Sequence, residues 1–503
     1  MTTQQDLDSN VNEYTIESIQ NFHGKYPKQL WYLFFSEMWE RFCFYGMRGF
    51  LTVFMVERLL FEEASANLKY GAIQAFIYTM AFIGGLFADK ILGFRKSIFW
   101  GGLLMITGSL ILFIAPEKLF FIGISFSIVG TGFFKPNIST MVGALYKEGD
   151  VRRDAGFSLF YSGINMGALL GGVICFRIGD QFGWNYAFLS SAIAMMIGLS
   201  IFYFAKKHLG PLGLSPLRER FKSEKIKMKD LMVYAGSLLI IPFILLLVSN
   251  TDYTDMLMYI VGPAAFVYVI YEMKEYALAE RKKLLAALLF CIFSILFWAF
   301  FEQSGGSLSL FARYNIKHEL LGVNANPNEI NNSANTLFVI IFAWIVGLIW
   351  VQLNKRKLEP NTVIKFGIGF LFLAGAFFVF YSTKFFADAD GMTSLNVFTL
   401  AYFVITFGEL CLSPIGLSLM TKLSPKPMWG VMMGIWFLAS AYGQYVAGIL
   451  GAGMASPNKE ASLMEKLNLY TSGYQQLGWY ALICGAVLII ISPLVKKLMQ
   501  EVK

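Results

Sequence analysis

Four charged residues lie inside one long apolar segment near the start of the chain: Glu37, Glu40, Arg41 and Arg48. An ionisable group at the centre of a bilayer costs about 3 kcal/mol on insertion scales, so such groups pair with one another or face a polar cavity. At helical spacing, one face of this segment carries Glu37, Arg41, Tyr45 and Arg48. The spacing therefore predicts a helix that forms one wall of a charged cavity.

Later apolar segments also carry polar side chains. Lys135 has apolar flanks on both sides, so it needs a carboxylate partner or a substrate anion unless it extends from a helix end towards water. Glu302 and Glu409 place acids in the second half of the chain, where they can oppose the bases of the first half. Asn165 can bond either a ligand or a neighbouring helix, and Trp436 taken alone is typical of a packing or interface aromatic.

The composition indicates a membrane protein built from helices. The chain has 503 residues, of which 56% are hydrophobic and 15% charged, with a mean hydropathy of +0.57, whereas soluble proteins carry about 25% charged residues. A transmembrane helix needs about 20 apolar residues, so we expect an all-α polytopic membrane protein. The fourteen predicted spans lie near 30–56, 70–88, 98–115, 119–145, 154–176, 184–205, 231–249, 256–273, 284–312, 335–353, 364–383, 394–420, 429–451 and 474–495.

Positive charge in the connections predicts the orientation. Lys and Arg concentrate on the cytoplasmic side of membrane proteins, and placing both termini in the cytoplasm puts most of them on that side. The connection 206–229 alone holds eight and 274–283 holds four. We therefore interpret the net charge of +8 as setting the topology and expect no nucleic-acid partner. The polar N-terminal tail lacks the apolar core of a cleavable signal peptide, so the first span is the expected insertion signal.

The basic connection at 206–229 divides the predicted spans into six, an extra pair and six. Transporters built from two bundles use such a six-plus-six arrangement, with their site at the membrane midplane between the halves. The extra pair carries no charge at membrane depth, so we expect it to have a structural role. The predicted divisions are a tail at 1–29, a first bundle at 30–205, the linker and extra pair at 206–283, a second bundle at 284–495 and a tail at 496–503.

The reactive residue types argue against an enzyme. All five cysteines fall within predicted spans and lack metal-ligand spacing. His23, His208 and His318 lie outside the spans, which excludes a histidine proton relay inside the membrane. The spans contain no nucleophile–base arrangement and no phosphate-binding loop, so we expect no enzymatic activity, no metal and no cofactor.

A connection rich in glycine and charge follows the second predicted span. It reads Gly-Gly85-Leu-Phe-Ala-Asp89-Lys-Ile-Leu-Gly93-Phe-Arg95-Lys. Asp89 near a helix end can bond backbone N–H groups or a base from a neighbouring helix. The connection resembles the cytoplasmic loop signature of the major facilitator superfamily, which implies that fold and says nothing about the substrate.

Motifs along nearly the whole chain resemble those of proton-dependent oligopeptide transporters. The run from Glu37 to Gly46 resembles the signature Glu-x-x-Glu-Arg-Phe-x-Tyr-Tyr-Gly, with Phe44 in place of the first tyrosine. The extra pair of spans is similar to that of bacterial members. The other matching motifs are Tyr26-Pro-Lys, Phe-Lys135-Pro-Asn, Phe160-Tyr-x-x-Ile-Asn165-x-Gly, Trp298-x-x-x-Glu302-Gln, Glu409-Leu-x-x-Ser-Pro-x-Gly-Leu and Met433-Gly-x-Trp436-Phe-Leu.

The resemblance implies a proton-coupled symporter that imports di- and tripeptides across the inner membrane of a bacterium. Two six-helix bundles would give alternating access to the site, and the proton would be a co-substrate. By the same resemblance, we expect a multi-pass protein that functions in the lipid bilayer as a monomer.

The resemblance also implies roles for individual residues. Arg41 and Lys135 would meet the peptide carboxylate, while Asn165, Glu302 and Asn335 would meet the amino end. The full set expected to contact substrate is Arg41, Tyr45, Arg48, Tyr78, Lys135, Asn165, Glu302, Asn335, Glu409, Trp436 and Ser440. The residues expected to couple proton movement are Glu37, Glu40, Arg41, Lys135 and Glu302. The pairs expected to act as gates are Arg48–Glu302 and Lys135–Glu409.

Departures from the family pattern leave alternatives open. Phe44 lacks the usual hydroxyl, Ala81 and Thr336 replace common prolines, and Gln444 replaces a common asparagine. These differences affect the expected helix flexibility and side-chain preference. The main alternative is a transporter of the same fold for nitrate, an amino acid derivative or a drug. A non-transporting peptide sensor would share the motifs, but the short tails argue against its output domain.

Overall fold

The chain is mostly helical in this computed structural model, which describes residues 15–214, 226–412, 416–458 and 460–500. The first helices are α1 (Ile16–Gln20), α2 (Lys28–Glu57), α3 (Glu63–Phe87), α4 (Phe94–Ile114), α5 (Phe120–Ala144), α6 (Arg152–Phe182), α7 (Trp184–Ala205) and α8 (Met228–Ser249). The later helices are α9 (Thr251–Glu272), α10 (Leu278–Phe301), α11 (Ser307–Asn315), α12 (Pro327–Lys355), α13 (Thr362–Ser382), α14 (Leu395–Leu412), α15 (Gly416–Lys422), α16 (Trp429–Gly453) and α17 (Leu463–Met499).

Shorter elements connect some of these helices. A π-helix, Ala88–Leu92, joins α3 to α4, and a 3-10 turn, Glu302–Gly305, joins α10 to α11. Strand β1 (Glu319–Leu320) pairs antiparallel with β2 (Val323–Asn324) after α11. Some predicted segments lie partly outside the described residues, namely 1–14 of the first tail, 215–225 of the linker, 413–415 of the span at 394–420 and 501–503 of the last tail.

Twelve helices of the described part are long and apolar enough to cross a membrane: α3, α4, α6 to α10, α12 to α14, α16 and α17. The long helices α2 and α5 coincide with two further predicted spans but carry the charged and polar residues singled out above. Glu37, Glu40 and Arg41 lie in α2, and Lys135 is followed by Pro136 in α5. The polar residues that lower the hydropathy of these two helices are therefore the candidate functional ones.

Several helices extend beyond the predicted spans. Helix α3 begins at Glu63 and α17 at Leu463, whereas the apolar pattern began at 70 and 474. Hydropathy detects only the apolar part of a helix, so polar first turns are missed. Ser462 caps α17 by accepting a hydrogen bond from the Glu465 amide, and the Glu465 carboxylate accepts one from the Ser462 amide, which forms a capping box.

The chain divides into two compact units. The first consists of the chain up to Arg48 together with Phe76–Leu246, and the second consists of Gly49–Ala75 together with the chain from Leu247 onwards. The division falls inside α2 and α3 and near the end of α8. The two members of the extra pair therefore belong to different units, α8 mainly to the first and α9 to the second.

Glycines allow close helix packing in the first unit. A Cβ at Gly101 of α4 would lie 2.6 Å from the Gly130 carbonyl oxygen of α5, and a Cβ at Gly130 would lie 2.7 Å from that of Gly101. Without Cβ atoms, the two backbones approach closely, as is usual between membrane helices. Buried side chains such as Ile98 and Phe134 complete this packing.

Aromatic rings form a large part of the second unit's core. The Phe380 ring lies 5.3 Å from Phe398 and 5.7 Å from Tyr474, measured between ring centroids. These contacts join α13, α14 and α17. Gly448 of α16 packs against α3, because a Cβ there would lie 2.8 Å from the Gly71 Cα.

The predicted continuous span at 284–312 is interrupted in the structure. Helix α10 ends at Phe301, the 3-10 turn follows, and Gly306 has φ −111° and ψ −109° before α11 begins. Gly305 leaves no room for a side chain at the break, because a Cβ there would lie 1.8 Å from the Tyr70 hydroxyl oxygen. Thr52 Oγ1 donates a 2.5 Å hydrogen bond to the Gly305 carbonyl, which satisfies a backbone group at the break.

Candidate functional site

Arg41 forms a buried ion-pair cluster with both glutamates of α2. Its Nε lies 3.0 Å from Glu37 Oε1, and it also pairs with Glu40. All three side chains are almost fully buried. The i,i+4 spacing of Glu37 and Arg41 brings their side chains together on one helix face. The structure thus places two acids beside one base within the first span predicted from the sequence.

Lys135 of α5 lies beside aromatic rings that come from two other helices. Its Nζ is 4.5 Å from the Tyr78 ring centroid and 5.9 Å from that of Phe44. The Arg41 guanidinium carbon lies 5.2 Å from the same Phe44 ring. Cation–π attraction can therefore hold both cations beside Phe44. The sequence analysis identified Phe44 only as a replacement for a tyrosine of the family signature.

Tyr45 and Arg48 continue the same part of α2. The Arg48 guanidinium carbon lies 5.7 Å from the Tyr45 ring centroid, and both side chains are partly buried. The helical spacing therefore keeps Tyr45 and Arg48 on the side predicted from the sequence.

Helix α6 positions α2 through glycines. A Cβ at Gly163 would lie 2.8 Å from the Phe34 ring, and one at Gly167 would lie 2.9 Å from the Arg41 Cβ. The neighbouring Asn165 donates through Nδ2 to the Tyr161 carbonyl of its own helix, at 3.1 Å. The sequence analysis left a ligand or a neighbouring helix as the partner of Asn165; in this structure its amide nitrogen instead bonds the backbone of its own helix.

Glu302 lies at the break after α10 in the second unit, where it is buried. The next residue, Gln303, fixes this turn by donating through Nε2 to the Ala299 carbonyl at 3.0 Å and the Ala447 carbonyl at 3.1 Å. Trp298 packs closely against α16, since a Cβ at Gly443 would lie 2.7 Å from the Trp298 Cβ. The motif around Glu302 therefore links α10 to α16.

Asn335 and Glu409 contact each other directly. Asn335 Nδ2 donates to Glu409 Oε2 at 3.0 Å and to Thr406 Oγ1 at 3.2 Å, which joins α12 to α14. The sequence assigned these two residues to different roles and did not identify Thr406. In α16, Ser440 Oγ donates to the Trp436 carbonyl at 3.2 Å, so both residues lie on one helix face.

A buried polar chain near this pair was missed by the sequence analysis. The Tyr402 hydroxyl donates to Asn331 Oδ1 at 2.6 Å, and Asn331 Nδ2 donates to the Ser304 carbonyl at 2.8 Å. These bonds tie α14 and α12 to the break that carries Glu302. Asn331 precedes the predicted span at 335–353, so the sequence carried no signal for this contact.

The glycine-rich connection is held by Arg95. This buried side chain donates from Nε to the Leu212 carbonyl at 2.5 Å and also bonds the Gly210 carbonyl. Gly93, with φ 76°, ends the π-helix and separates it from α4. The connection therefore anchors the turn after α7.

Two other residues of the connection, Gly85 and Asp89, are less buried than Arg95. Asp89 is exposed in the π-helix, and a Cβ at Gly85 would lie 3.7 Å from the Pro136 ring.

Two compact units, a set of apolar helices and buried charges in α2 define a membrane transport protein, and the comparisons with known proteins specify its family. The POT family model matches residues 95–468, so the chain belongs to the POT family.

Similar proteins cover almost the whole chain. The peptide transporter YePEPT of Yersinia enterocolitica is 33% identical over 96% of this chain and 97% of its own length. A crystal structure of a mutant of the peptide transporter POT in complex with alafosfalin is 30% identical, with a TM-score of 0.81 over 99% of this chain and all of that one. A POT family transporter in complex with 5-aminolevulinic acid is also 30% identical, with a TM-score of 0.81 over 96% of this chain and all of that one.

Proposed function

We propose that this protein is a proton-coupled symporter that imports di- and tripeptides across a bacterial inner membrane by alternating access. The observation that carries the proposal is the buried cluster of Arg41 with Glu37 and Glu40, accompanied by Lys135. Charges at this depth are costly unless they serve a polar path. Family membership and the peptide transporters among its relatives support peptides as the substrate and protons as the driving ion.

We assign the carboxylate end of the peptide to Arg41 and Lys135. Arg41 and Lys135 are cations that share the Phe44 ring, and the low dielectric of a buried site strengthens their attraction for an anion. Tyr78 lies against Lys135 and Tyr45 against Arg48, so both tyrosines can line the same substrate region.

We assign the amino end of the peptide to Glu302, Asn335 and Glu409. The Asn335–Glu409 pair offers a carboxylate and an amide oxygen, and Glu302 lies at a helix break held by Gln303. An ammonium group donates three hydrogen bonds, which suits such a set of acceptors. We also assign Asn165 to the amino end of the peptide. We assign Trp436 and Ser440 to the pockets that hold the peptide's side chains.

Proton coupling is assigned to the carboxylates that share a cation. Glu37 and Glu40 contact Arg41, so their protonation would release Arg41 to bind the peptide. We assign the same coupling role to Glu302 and retain Arg48–Glu302 and Lys135–Glu409 as proposed gates. The proton is a co-substrate, and we assign no other cofactor.

We assign all fourteen long helices to the membrane and both termini to the cytoplasm. Contacts among connections of the first unit support this topology. Gln29 Nε2, just before the first span, donates to the His208 carbonyl at 3.0 Å, and Arg152 donates to the Phe22 carbonyl at 3.0 Å. Segments that bond to one another lie on the same side, and all these segments were assigned to the cytoplasm.

Connections assigned to the outside also contact one another. Lys466 Nζ lies 2.7 Å from Glu63 Oε1, and Lys317 Nζ lies 3.0 Å from Asp388 Oδ2. The proposed divisions remain a first bundle at 30–205, a linker with the extra pair at 206–283 and a second bundle at 284–495. We propose that the monomer is the functional unit.

Uptake into proteoliposomes tests the proposed function. Labelled dialanine should accumulate when the lumen is made alkaline, and unlabelled tripeptide should compete. Lys135→Gln should abolish accumulation because it removes a cation from the proposed carboxylate site. Lys118→Gln, at an exposed connection, is the matched control and should transport normally. A folded protein that shows no peptide uptake would overturn the proposal.

An amino acid derivative is the second candidate substrate. The relative in complex with 5-aminolevulinic acid favours it, because that ligand also carries an amino group and a carboxylate. Accumulation of such a compound without competition by dialanine would identify this alternative. Competition in both directions would show that one site accepts both classes.

A further inference from the structure

A cavity of about 370 Å³ lies in the first unit between the first turns of α4, the turn that follows α7 and the first turns of α8. We call it the α4/α8 cavity. Its aromatic and aliphatic walls include Phe99, Trp100, Leu103 and Tyr234. Nothing in the proposed transport mechanism uses these residues.

Three basic side chains, Arg95, Lys96 and Lys206, line the α4/α8 cavity. Lys206 Nζ lies 4.5 Å from the Phe99 ring centroid, and Lys96 Nζ forms a 2.5 Å ion pair with Asp230. Among the described residues that line the cavity, none is acidic. Asp230 balances the charge of Lys96, so Arg95 and Lys206 supply the net positive charge that suits an anionic group at the basic end of the cavity.

The basic end is held in a fixed shape. Besides the two carbonyls that accept from its side chain, Arg95 donates its backbone N–H to the Gly213 carbonyl at 3.0 Å. Gly213 has φ +76°, and a Cβ there would lie 3.0 Å from Arg95 Cγ. The turn after α7 is thus fastened to the start of α4, and Lys206, just before this turn, lines the same cavity as Arg95.

The rest of the α4/α8 cavity is mostly apolar and reaches the surface of the first unit. Leu103 is 38% exposed, and Phe99 and Trp100 are partly buried. Helices α4 and α8 are both candidate membrane spans. Basic groups at the end of an apolar groove between membrane helices match a phospholipid, whose phosphate lies beside its acyl chains.

A second groove repeats this chemistry on another face of α8. It has a volume of about 620 Å³ and is lined by Lys90 and Lys229 together with apolar residues of α3 and α8, including Met80 and Met232. Helix α8 contacts α4 through Trp100, whose Nε1 donates to Ser237 Oγ at 2.9 Å. Helix α8 therefore lies between two apolar grooves that each carry lysines.

We propose that the α4/α8 cavity binds an anionic phospholipid, with its phosphate at Arg95 and Lys206 and an acyl chain along Phe99 and Leu103. A free phosphate ion would use only the basic end, whereas a lipid uses both. Bound lipid would fill the space beside α8 and stabilise the contact of this helix with the first unit.

Native mass spectrometry of the purified full chain tests the site. Phosphatidylglycerol should bind more tightly than phosphatidylcholine and should raise the melting temperature. Lys206→Gln should weaken phosphatidylglycerol binding about fivefold, the effect of one basic residue at an anionic lipid surface. Lys207→Gln is the matched control, because Lys207 is exposed, adjacent, and not among the residues that line the cavity.

A second variant separates lipid from free phosphate. Leu103→Trp should fill the apolar part and weaken phosphatidylglycerol binding while leaving every charge in place. Equal losses in Lys206→Gln and Lys207→Gln would show diffuse surface attraction and overturn the proposal. The proposal would also be overturned by two results together. Inorganic phosphate would stabilise the wild type as much as the lipid does, and Leu103→Trp would bind the lipid as tightly as the wild type.

Discussion

At the residue scale, charges in this protein are placed in two different environments. Glu37, Glu40 and Arg41 are buried within α2, while pairs such as Lys317–Asp388 lie in exposed connections. A buried ion pair costs several kcal/mol when one partner is removed, whereas an exposed pair contributes about 0 to 1 kcal/mol. Substitution of a buried charged residue should therefore impair transport or stability, whereas substitution of an exposed one should have little effect on either.

Glu302→Gln should separate proton coupling from substrate binding. Because glutamine cannot take up a proton, proton-driven accumulation of dialanine should fall to the level of empty liposomes. Counterflow exchange of labelled for unlabelled dialanine needs no net proton movement and should persist. Active accumulation equal to that of the wild type would show that Glu302 is not a coupling group.

Glu63→Gln should destabilise the second unit by about 3 kcal/mol. The Glu63 carboxylate binds Lys466 at 2.7 Å and the Tyr470 hydroxyl at 2.5 Å, so its loss leaves a buried lysine without its counter-charge. Thermal unfolding in detergent measures the loss. Adding Lys466→Met should restore part of the stability, because the remaining charge is then removed.

The exposed pair provides the control for this experiment. Asp388→Asn should leave the melting temperature nearly unchanged, because the Lys317 and Asp388 side chains are both exposed to water. Equal losses at the two sites would contradict the assignment of Glu63 as the buried partner.

The Asp388 connection should loosen at acidic pH. The backbone N–H of Met392 and the Lys317 ammonium hold the pKa of the Asp388 carboxyl below its ordinary value. A depressed pKa in the folded state contributes stability above the ordinary value near 3.9 and loses it as the pH falls towards the folded pKa. Hydrogen exchange at Met392, corrected for intrinsic rates, should rise below about pH 4. Asp388→Asn should remove that pH dependence.

At the element scale, glycines determine which helices touch. A Cβ at Gly448 of α16 would lie 2.7 Å from the Asn67 carbonyl oxygen and 2.8 Å from the Gly71 Cα of α3. Both obstacles are backbone atoms, which cannot rotate away as a side chain can. The contact of α16 with α3 therefore tolerates no added methyl group without a shift of one helix.

Gly448→Ala should destabilise the protein by about 1–3 kcal/mol, the usual cost of overpacking. Gly453→Ala is the matched control at the end of the same helix, where a Cβ would meet nothing within 4 Å. It should be neutral or slightly stabilising because alanine favours helix formation. Similar melting temperatures for the two variants would contradict the close packing at Gly448.

At the scale of the whole molecule, the charge distribution and the contacts among connections support one topology. Basic connections and the first tail meet within the first unit, while the connections near Glu63, Asp388 and Lys466 meet in the second. Membrane-embedded units must keep such connections on a common side, because the connecting segments do not stay in the bilayer.

Cysteine labelling tests this topology. A membrane-impermeant maleimide should label Asp390→Cys in intact cells and label Lys207→Cys only after permeabilisation, since both positions are exposed. The wild type is the background control, because four of its cysteines are buried and Cys484 is partly buried. The reverse labelling pattern would place the termini outside.

The sequence by itself determined the class of the protein and the principal charges. Long apolar runs can be stable only in a membrane, and charged residues inside them are costly, so Arg41, Lys135 and Glu302 stood out without any structure. Helical spacing also related Glu37 to Arg41, because a contact four residues apart is local. The motifs then indicated the family.

The tertiary structure decided the contacts between residues distant in sequence. The Asn335–Glu409 bond and the Phe44 ring beside Lys135 depend on how helices pack, and no local pattern encodes that packing. The break at Glu302 replaced a predicted continuous span, because Gly305 leaves room for the Tyr70 hydroxyl and a bond from Thr52 stabilises the turn. The α4/α8 cavity likewise exists only because Arg95 fastens a distant turn to α4.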